Sequence, residues 1–155
     1  MISIFCDGSS SGKSHLPGGY GFVIVRDDKE ILGWGYGGHH ETTNNLMELE
    51  GAICGLMGFI KLGFNETVEL VSDSQYTLGI ANGFYHPTAN LESAKLLRNL
   101  ALQIQGLRFR WVKGHRGHKW NEKVDELAKM GKMEYTTPEL QKKVKAAIRE
   151  DEEMT

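Results

Sequence analysis

The chain reads as an α/β fold, a mixed five-stranded sheet with helices on both faces. Two observations predict it. Three strand-like runs precede any helical pattern, and two more short apolar runs alternate with amphipathic helices after it. A third bounds the size: 155 residues, 40% of them apolar, suit one domain with one sizeable core.

Ile2-Ser3-Ile4-Phe5-Cys6-Asp7 is apolar on both faces and reads as a central strand. Ser9 to Pro17 reads as a polar loop. Gly19 to Arg26 and Glu30 to Tyr36 read as strands joined by the hairpin turn Asp27-Asp28-Lys29. Thr43 or Asn44 caps a helix to about Lys61, with Leu49, Ile53, Leu56 and Ile60 on its apolar face. Glu48 lies at the margin of that face beside Ala52, Gly55 and Phe59, small residues among them allowing close approach to the sheet. Gly63 ends the helix. Thr67 to Ser72 is a strand that delivers Asp73, and Ser74 to Asn82 a short helix ended by Gly83. Leu91 to Gln105 repeats Leu96, Leu97, Leu100 and Ile104 at helical spacing. Leu107 to Val112 is the fifth strand, and Asn121 to Lys132 a further helix. Pro138 opens a last helix with Leu140, Val144, Ala147 and Ile148 on one side.

Composition excludes several classes. No stretch approaches the roughly 18 unbroken apolar residues of a membrane span. The N-terminus lacks the basic start and long apolar run of a signal peptide, so a cytoplasmic protein is expected. Cys6 and Cys54 lie in apolar segments and read as reduced, buried thiols; two isolated cysteines make no zinc site. The net charge of −2 argues weakly against a nucleic-acid binder. Its distribution argues the other way, because Lys95, Arg98, Arg108, Arg110, Lys113, Arg116 and Lys119 fall in a stretch free of acids between Ser93 and Asn121.

Four carboxylates stand out: Asp7 in Cys-Asp-Gly-Ser-Ser, Glu48 in Thr-Asn-Asn-Leu-Met-Glu-Leu, Asp73 in Ser-Asp-Ser-Gln-Tyr, and Asp125 in Asn-Glu-Lys-Val-Asp-Glu-Leu-Ala. Each sits at a strand end or on a helix. Gathered carboxylates repel unless a cation neutralises them. Hard oxygen donors suit Mg²⁺ or Mn²⁺ rather than zinc. Metal-assisted phosphodiester hydrolysis is the chemistry they point to. A lone acid here would be an ordinary surface charge; the four together in these contexts are not.

Between Met1 and Lys132 the chain resembles the type 1 ribonuclease H family, bacterial or phage-like. The resemblance rests on Thr43-Asn44-Asn45 followed by Met47-Glu48, on Asp73-Ser74-Gln75, on Trp111-Val112-Lys113-Gly114-His115, and on Asn121-Glu122 followed by Asp125-Glu126-Leu127-Ala128. It implies a ribonuclease H-like sheet and an enzyme that hydrolyses the RNA strand of RNA–DNA hybrids to 5′-phosphate and 3′-hydroxyl ends. It implies two Mg²⁺ ions per site, with Mn²⁺ as a substitute. Asp7 would bridge both ions, Glu48 and Asp73 would hold the one serving the leaving group, and Asp125 the one serving the water. His115 matches the family's mobile catalytic histidine, with His118 as the alternative.

For the substrate, the resemblance assigns ribose and minor-groove contacts to Ser9, Ser10, Asn44, Asn45 and Gln75. It places Tyr76 and Phe84 against DNA deoxyriboses, Thr43 and Asn90 at a DNA-strand phosphate, and Asn121 beside the metal site. The bland alternatives are ordinary core for the two aromatics and a helix cap for Asn121. The chain departs from the family in three ways. Glu41 stands where an arginine commonly completes the phosphate pocket, the loop from Ser9 to Pro17 is differently spaced, and the basic protrusion between Asp73 and Trp111 is replaced by Gly83-Phe84-Tyr85-His86-Pro87. The expected organisation is a catalytic domain over 1–132 and a helical extension over 133–155 with an acidic end. The enzyme is expected to be a monomer whose partner is a hybrid and not a membrane. Two rivals share features of this reading: a DNA-cutting resolvase- or transposase-like nuclease of the same fold, and a catalytically silent hybrid-binding module.

Overall fold

The computed structural model describes residues 1–11, 16–113 and 118–136. Its elements run β1 (Ile2–Ser10), β2 (Leu16–Arg26), β3 (Glu30–Thr42), α1 (Asn44–Leu62), β4 (Val68–Ser72), α2 (Gln75–Asn82), α3 (Leu91–Gln103), β5 (Arg108–Trp111) and α4 (Lys119–Glu134). The strands form one five-stranded sheet in the order β3-β2-β1-β4-β5. β2 pairs antiparallel with β1 and β3, while β4 pairs parallel with β1 and β5. This is the expected mixed sheet, and its central strand is the one whose sequence is apolar on both faces.

Strand alternation divides the core into two layers. Ile2, Ile4 and Cys6 of β1 pack with Leu49, Ile53 and Leu56 of α1 and with Ile80 and Leu97 of α2 and α3. Phe5 faces the other way, with Val23, Val25 and Val71, against Trp120, Val124 and Leu127 of α4. Each such fully buried aliphatic or aromatic side chain contributes roughly 1.5–3 kcal/mol. Burial also pushes the Cys6 thiol pKa well up, which keeps it inert; Cys54 is half-buried and both thiols are free.

Local signals set the boundaries. Asp27 and Asp28 take consecutive left-handed conformations, φ 52° and 57°, at the centre of the turn that Lys29 N closes on the Arg26 carbonyl at 3.0 Å. The Thr43 hydroxyl accepts from Leu46 N at 3.2 Å and caps α1, which Gly63 closes at φ 72°.

The structure differs from the sequence expectation in several places. The first three strands are longer, extending to Ser10, starting at Leu16 and reaching Thr42. Gly18, Gly37 and Gly38 lie outside the expected strands but in register within the β2–β3 ladder, beside Gly19, which the sequence already placed in a strand. A Cβ on Gly19 would meet the backbone of Ala128 and Lys132, and one on Gly131 the Gly37 carbonyl. These glycines let α4 sit down on the sheet. Ile60 and Leu96 are exposed although they recur at helical spacing. Finally, α4 continues through Lys132 to Glu134, and the expected helix from Pro138 lies outside the described residues.

Candidate active site

β1, α1 and β4 converge on one acidic group. Asp7 ends the buried part of β1, Glu48 lies in the second turn of α1, and Asp73 follows β4. One carboxylate oxygen from each lies within 4.8 Å of the others. Asp7 and Glu48 are almost wholly buried. Asp7 Oδ1 accepts from Gly8 N at 2.9 Å. Glu48 Oε2 is buried with no hydrogen-bond partner.

The Glu48 carboxyl is pushed well above the usual range, chiefly by burial and next by the charges of Asp7 and Asp73, while the Gly8 N–H pulls it back. Burial and the two neighbouring charges therefore favour a proton or a cation in this corner. The donor set is all oxygen and anionic, and it fits a hard divalent ion. Asp73 is set by its surroundings: Trp111 Nε1 donates to its carbonyl at 3.0 Å, Ser74 N to Ser72 Oγ at 3.0 Å, and Val112 N to Ser72 O at 3.0 Å. This use of the Trp111 indole was invisible in sequence, where Trp111 served only as part of a motif.

Of the four expected carboxylates, three meet. Asp125 sits half-buried on α4 outside that group, and its Oδ2 pairs with Lys129 Nζ at 3.0 Å. Buried Asn121 lies one turn before it on the same helix side. His115 lies outside the described residues. His118 precedes α4 with its ring 5.1 Å from Phe5, and its Nδ1 is buried with no hydrogen-bond partner.

The substrate candidates surround the acidic group. Ser9 and Ser10 end β1, half-buried opposite Gly19 and Gly18. Thr43, Asn44 and Asn45 open α1 and Gln75 opens α2, all exposed. Helix N-termini attract phosphate oxygens. The Thr43 hydroxyl, accepting from Leu46 N, retains its own proton to donate. Tyr76 is half-buried, packs against the α1-side core and meets Tyr85 edge-on at 5.4 Å. Phe84 is 88% exposed and belongs to no core. Asn90 precedes α3 in a left-handed conformation, φ 54°, and makes no side-chain cap bond. Glu41 is exposed near the end of β3.

The basic stretch needs one correction. Arg110 is tied to the sheet, because its guanidinium grips buried Glu69 at 2.8–3.1 Å, with Ser3 Oγ on the same carboxylate at 2.9 Å. Arg98 likewise donates to Ala81 O at 2.9 Å.

A mixed sheet of this order, with an acidic group at the end of its central strand, defines an enzyme of the nuclease class. The ribonuclease H family model matches residues 1–133. A ribonuclease H of Bradyrhizobium diazoefficiens is 38% identical over 145 residues, 84% of this chain and 89% of that protein. A ribonuclease HI of Haemophilus ducreyi is 40% identical over 143 residues, with 84% and 89% covered. Among solved structures, the N-terminal RNase H domain of a Mycobacterium tuberculosis protein superposes with a TM-score of 0.77 at 28% identity, covering 86% of this chain and 94% of that one. LC11-RNase H1, solved in complex with an RNA/DNA hybrid, shares the fold at a TM-score of 0.74 and 24% identity, with 86% and 98% covered. The chain belongs to the ribonuclease H family. No helix among the described residues is long and apolar enough to cross a membrane.

Proposed function

We propose that this chain cuts the RNA strand of RNA–DNA hybrids by metal-assisted hydrolysis, leaving 5′-phosphate and 3′-hydroxyl ends. The observation that carries the reading is the convergence of Asp7, Glu48 and Asp73, with a Glu48 oxygen buried and unpartnered. Divalent ions held there, Mg²⁺ by preference, would polarise the scissile phosphate and lower the pKa of the attacking water. Asp7, Glu48 and Asp73 would hold one ion; Asp125, with Asp7, would serve the second. Asn44, Asn45 and Gln75, at the open ends of α1 and α2, would orient the hybrid through its minor groove, and Ser9 and Ser10 through ribose hydroxyls, the handle that separates RNA from DNA. Asn121 would orient His115 or water. Residues 1–132 would suffice for these contacts, in a monomer.

The test is cleavage of labelled RNA–DNA hybrid, RNA duplex and DNA duplex with Mg²⁺, Mn²⁺ or EDTA. The expected outcome is cutting of the hybrid's RNA strand alone, abolished by EDTA. Equal cutting of duplex DNA would instead support the resolvase-like reading, and tight binding without cutting the silent module.

His115→Ala is expected to slow turnover by roughly 10²-fold, the low end of acid–base contributions, and not to abolish it. A fully active His115→Ala beside an impaired His118→Ala would transfer the role to His118. Glu41→Arg is expected to tighten hybrid binding and to steepen its salt dependence by roughly one unit, as one added phosphate contact does. Hybrid binding and salt slope unchanged by Glu41→Arg would place the DNA-phosphate pocket away from Glu41 or leave it unused.

A further inference from the structure

The sheet face under α4 is only partly covered. On β3, an edge strand, Ile31, Trp34 and Tyr36 stand opposite Val25, Val23 and Gly21 of β2. Val23 and Val25 pack beneath α4, so these three β3 side chains point to the same side. Yet Ile31 is 52% and Trp34 59% exposed, and Met130 and Met133 of α4 are also exposed. Trp34 and Tyr36 stack at 6.5 Å along the strand. Ile31, Trp34, Leu127, Met130, Val23 and the stem of Lys123 line a trough of about 330 Å³. A contiguous apolar surface of this kind is unfavourable in water and marks a docking site.

We propose that the chain's own C-terminal segment, residues 138–149, occupies this trough as a helix antiparallel to α4. Leu140 would then meet Met133 and Tyr36, Val144 would meet Met130 and Trp34, and Ile148 would meet Leu127 and Ile31.

Four observations select this occupant. The chain leaves α4 at the correct end of the trough: Tyr36 Oη donates to Glu134 at 2.5 Å, and His40 Nδ1 lies 3.0 Å from the Tyr135 carbonyl. Pro138 cannot continue α4, and so favours a change of direction there. The lengths agree, since Tyr36 to Ile31 spans about 17 Å of strand and residues 138–149 span about 17 Å of helix. The sequence supplies Leu140, Val144 and Ile148 on one stripe, flanked by Lys142, Lys145 and Arg149. Those cations would lie along a rim of α4 that carries the exposed acid Glu126.

The placement separates this segment from the reaction. At about 100° per residue, Lys123, Leu127 and Met130 lie on the opposite side of α4 from Asp125. Docking would therefore seal the edge of the core and leave the acidic group untouched.

The experiment is a double-mutant cycle in the full-length chain, read by urea denaturation, with Trp34→Ala, Val144→Ala and the pair. Each single variant is expected to lower the midpoint, and the pair to lower it no further than the larger single effect. Additive effects, or a silent Val144→Ala, would overturn the proposal. Because Trp34→Ala also disturbs β3, the Met130→Cys/Val144→Cys chain provides an independent reading. Mild oxidation should form an intramolecular disulfide in a species that sediments as a monomer. A disulfide-linked dimer, or a wild-type dimer dissociated by Trp34→Ala, would show instead that the trough receives a second copy.

Discussion

Asp7→Asn, Glu48→Gln and Asp73→Asn are each expected to lose on the order of 10³-fold or more in hybrid cleavage with Mg²⁺, while the metal-free protein keeps or gains stability. The loss follows from what the carboxylates hold. A divalent ion at a scissile phosphate is worth several kcal/mol of transition-state stabilisation, and each 1.4 kcal/mol is about tenfold in rate. The gain follows from what they cost. Glu48 is buried with one oxygen unpartnered, and two like charges lie beside it.

The pH dependence gives that argument a sign. The Glu48 carboxyl has a folded-state pKa raised above its unfolded value. Its contribution to stability is fully present below the unfolded value, about 4.3, and is lost as pH rises through the raised one. In EDTA the stability advantage of Glu48→Gln over wild type should therefore be smallest near pH 4 and grow toward neutrality. Added Mg²⁺ should close the gap by stabilising the wild type, since ligands that bind only the native state stabilise it. Urea midpoints across this pH range, with and without Mg²⁺, measure both effects. A Glu48→Gln protein destabilised at neutral pH in EDTA would refute the repulsion argument.

The fold was largely legible because its signals are local. The double-sided apolar run Ile2 to Cys6 reads as a central strand because burial on both faces tolerates nothing else. The Asp27-Asp28 turn, the Thr43 cap and the Gly63 stop each act within a few residues. What stayed hidden depends on partners distant in sequence. Gly37 and Gly38 belong to a strand on which Gly131 of α4 closes, an approach that no local pattern records. Arg110 reads as part of a basic face until the β4–β5 pairing brings Glu69 beside it. Asp125 reads with the other three by its context; that its helix packs in the layer opposite α1 depends on long-range packing. Asp7, Glu48 and Asp73 were legible as types in context; their closeness depends on how tightly α1 meets β1.

That closeness makes Gly8→Ala the second large effect. A Cβ on Gly8 would fall 2.6 Å from the Met47 carbonyl carbon, 2.9 Å from Met47 Cβ and closer still to the Glu48 amide nitrogen. Two of these neighbours are helix backbone and cannot swing aside, so α1 must move as a body and carry Glu48 away from Asp7. The same glycine donates its N–H to Asp7 Oδ1, and its backbone favours the charged form of Glu48. One added methyl group therefore strikes both carboxylates through their supports. Overpacking of this kind costs about 1–3 kcal/mol of stability, and a displacement near 1 Å at reacting groups costs roughly 10²-fold in rate. Gly33→Ala is the matched control, because its Cβ would meet only Leu62 Cδ1 at 3.6 Å and Ile24 Cδ1 at 3.8 Å. The expected result is a Gly8→Ala protein that is folded, destabilised, about 10²-fold slower, and stabilised by Mg²⁺ only at higher concentrations than wild type. Cleavage rates and Mg²⁺-dependent melting of the two variants decide it. Equal activity and equal Mg²⁺ response in Gly8→Ala and Gly33→Ala would mean that the approach of α1 to β1 does not set the acidic site.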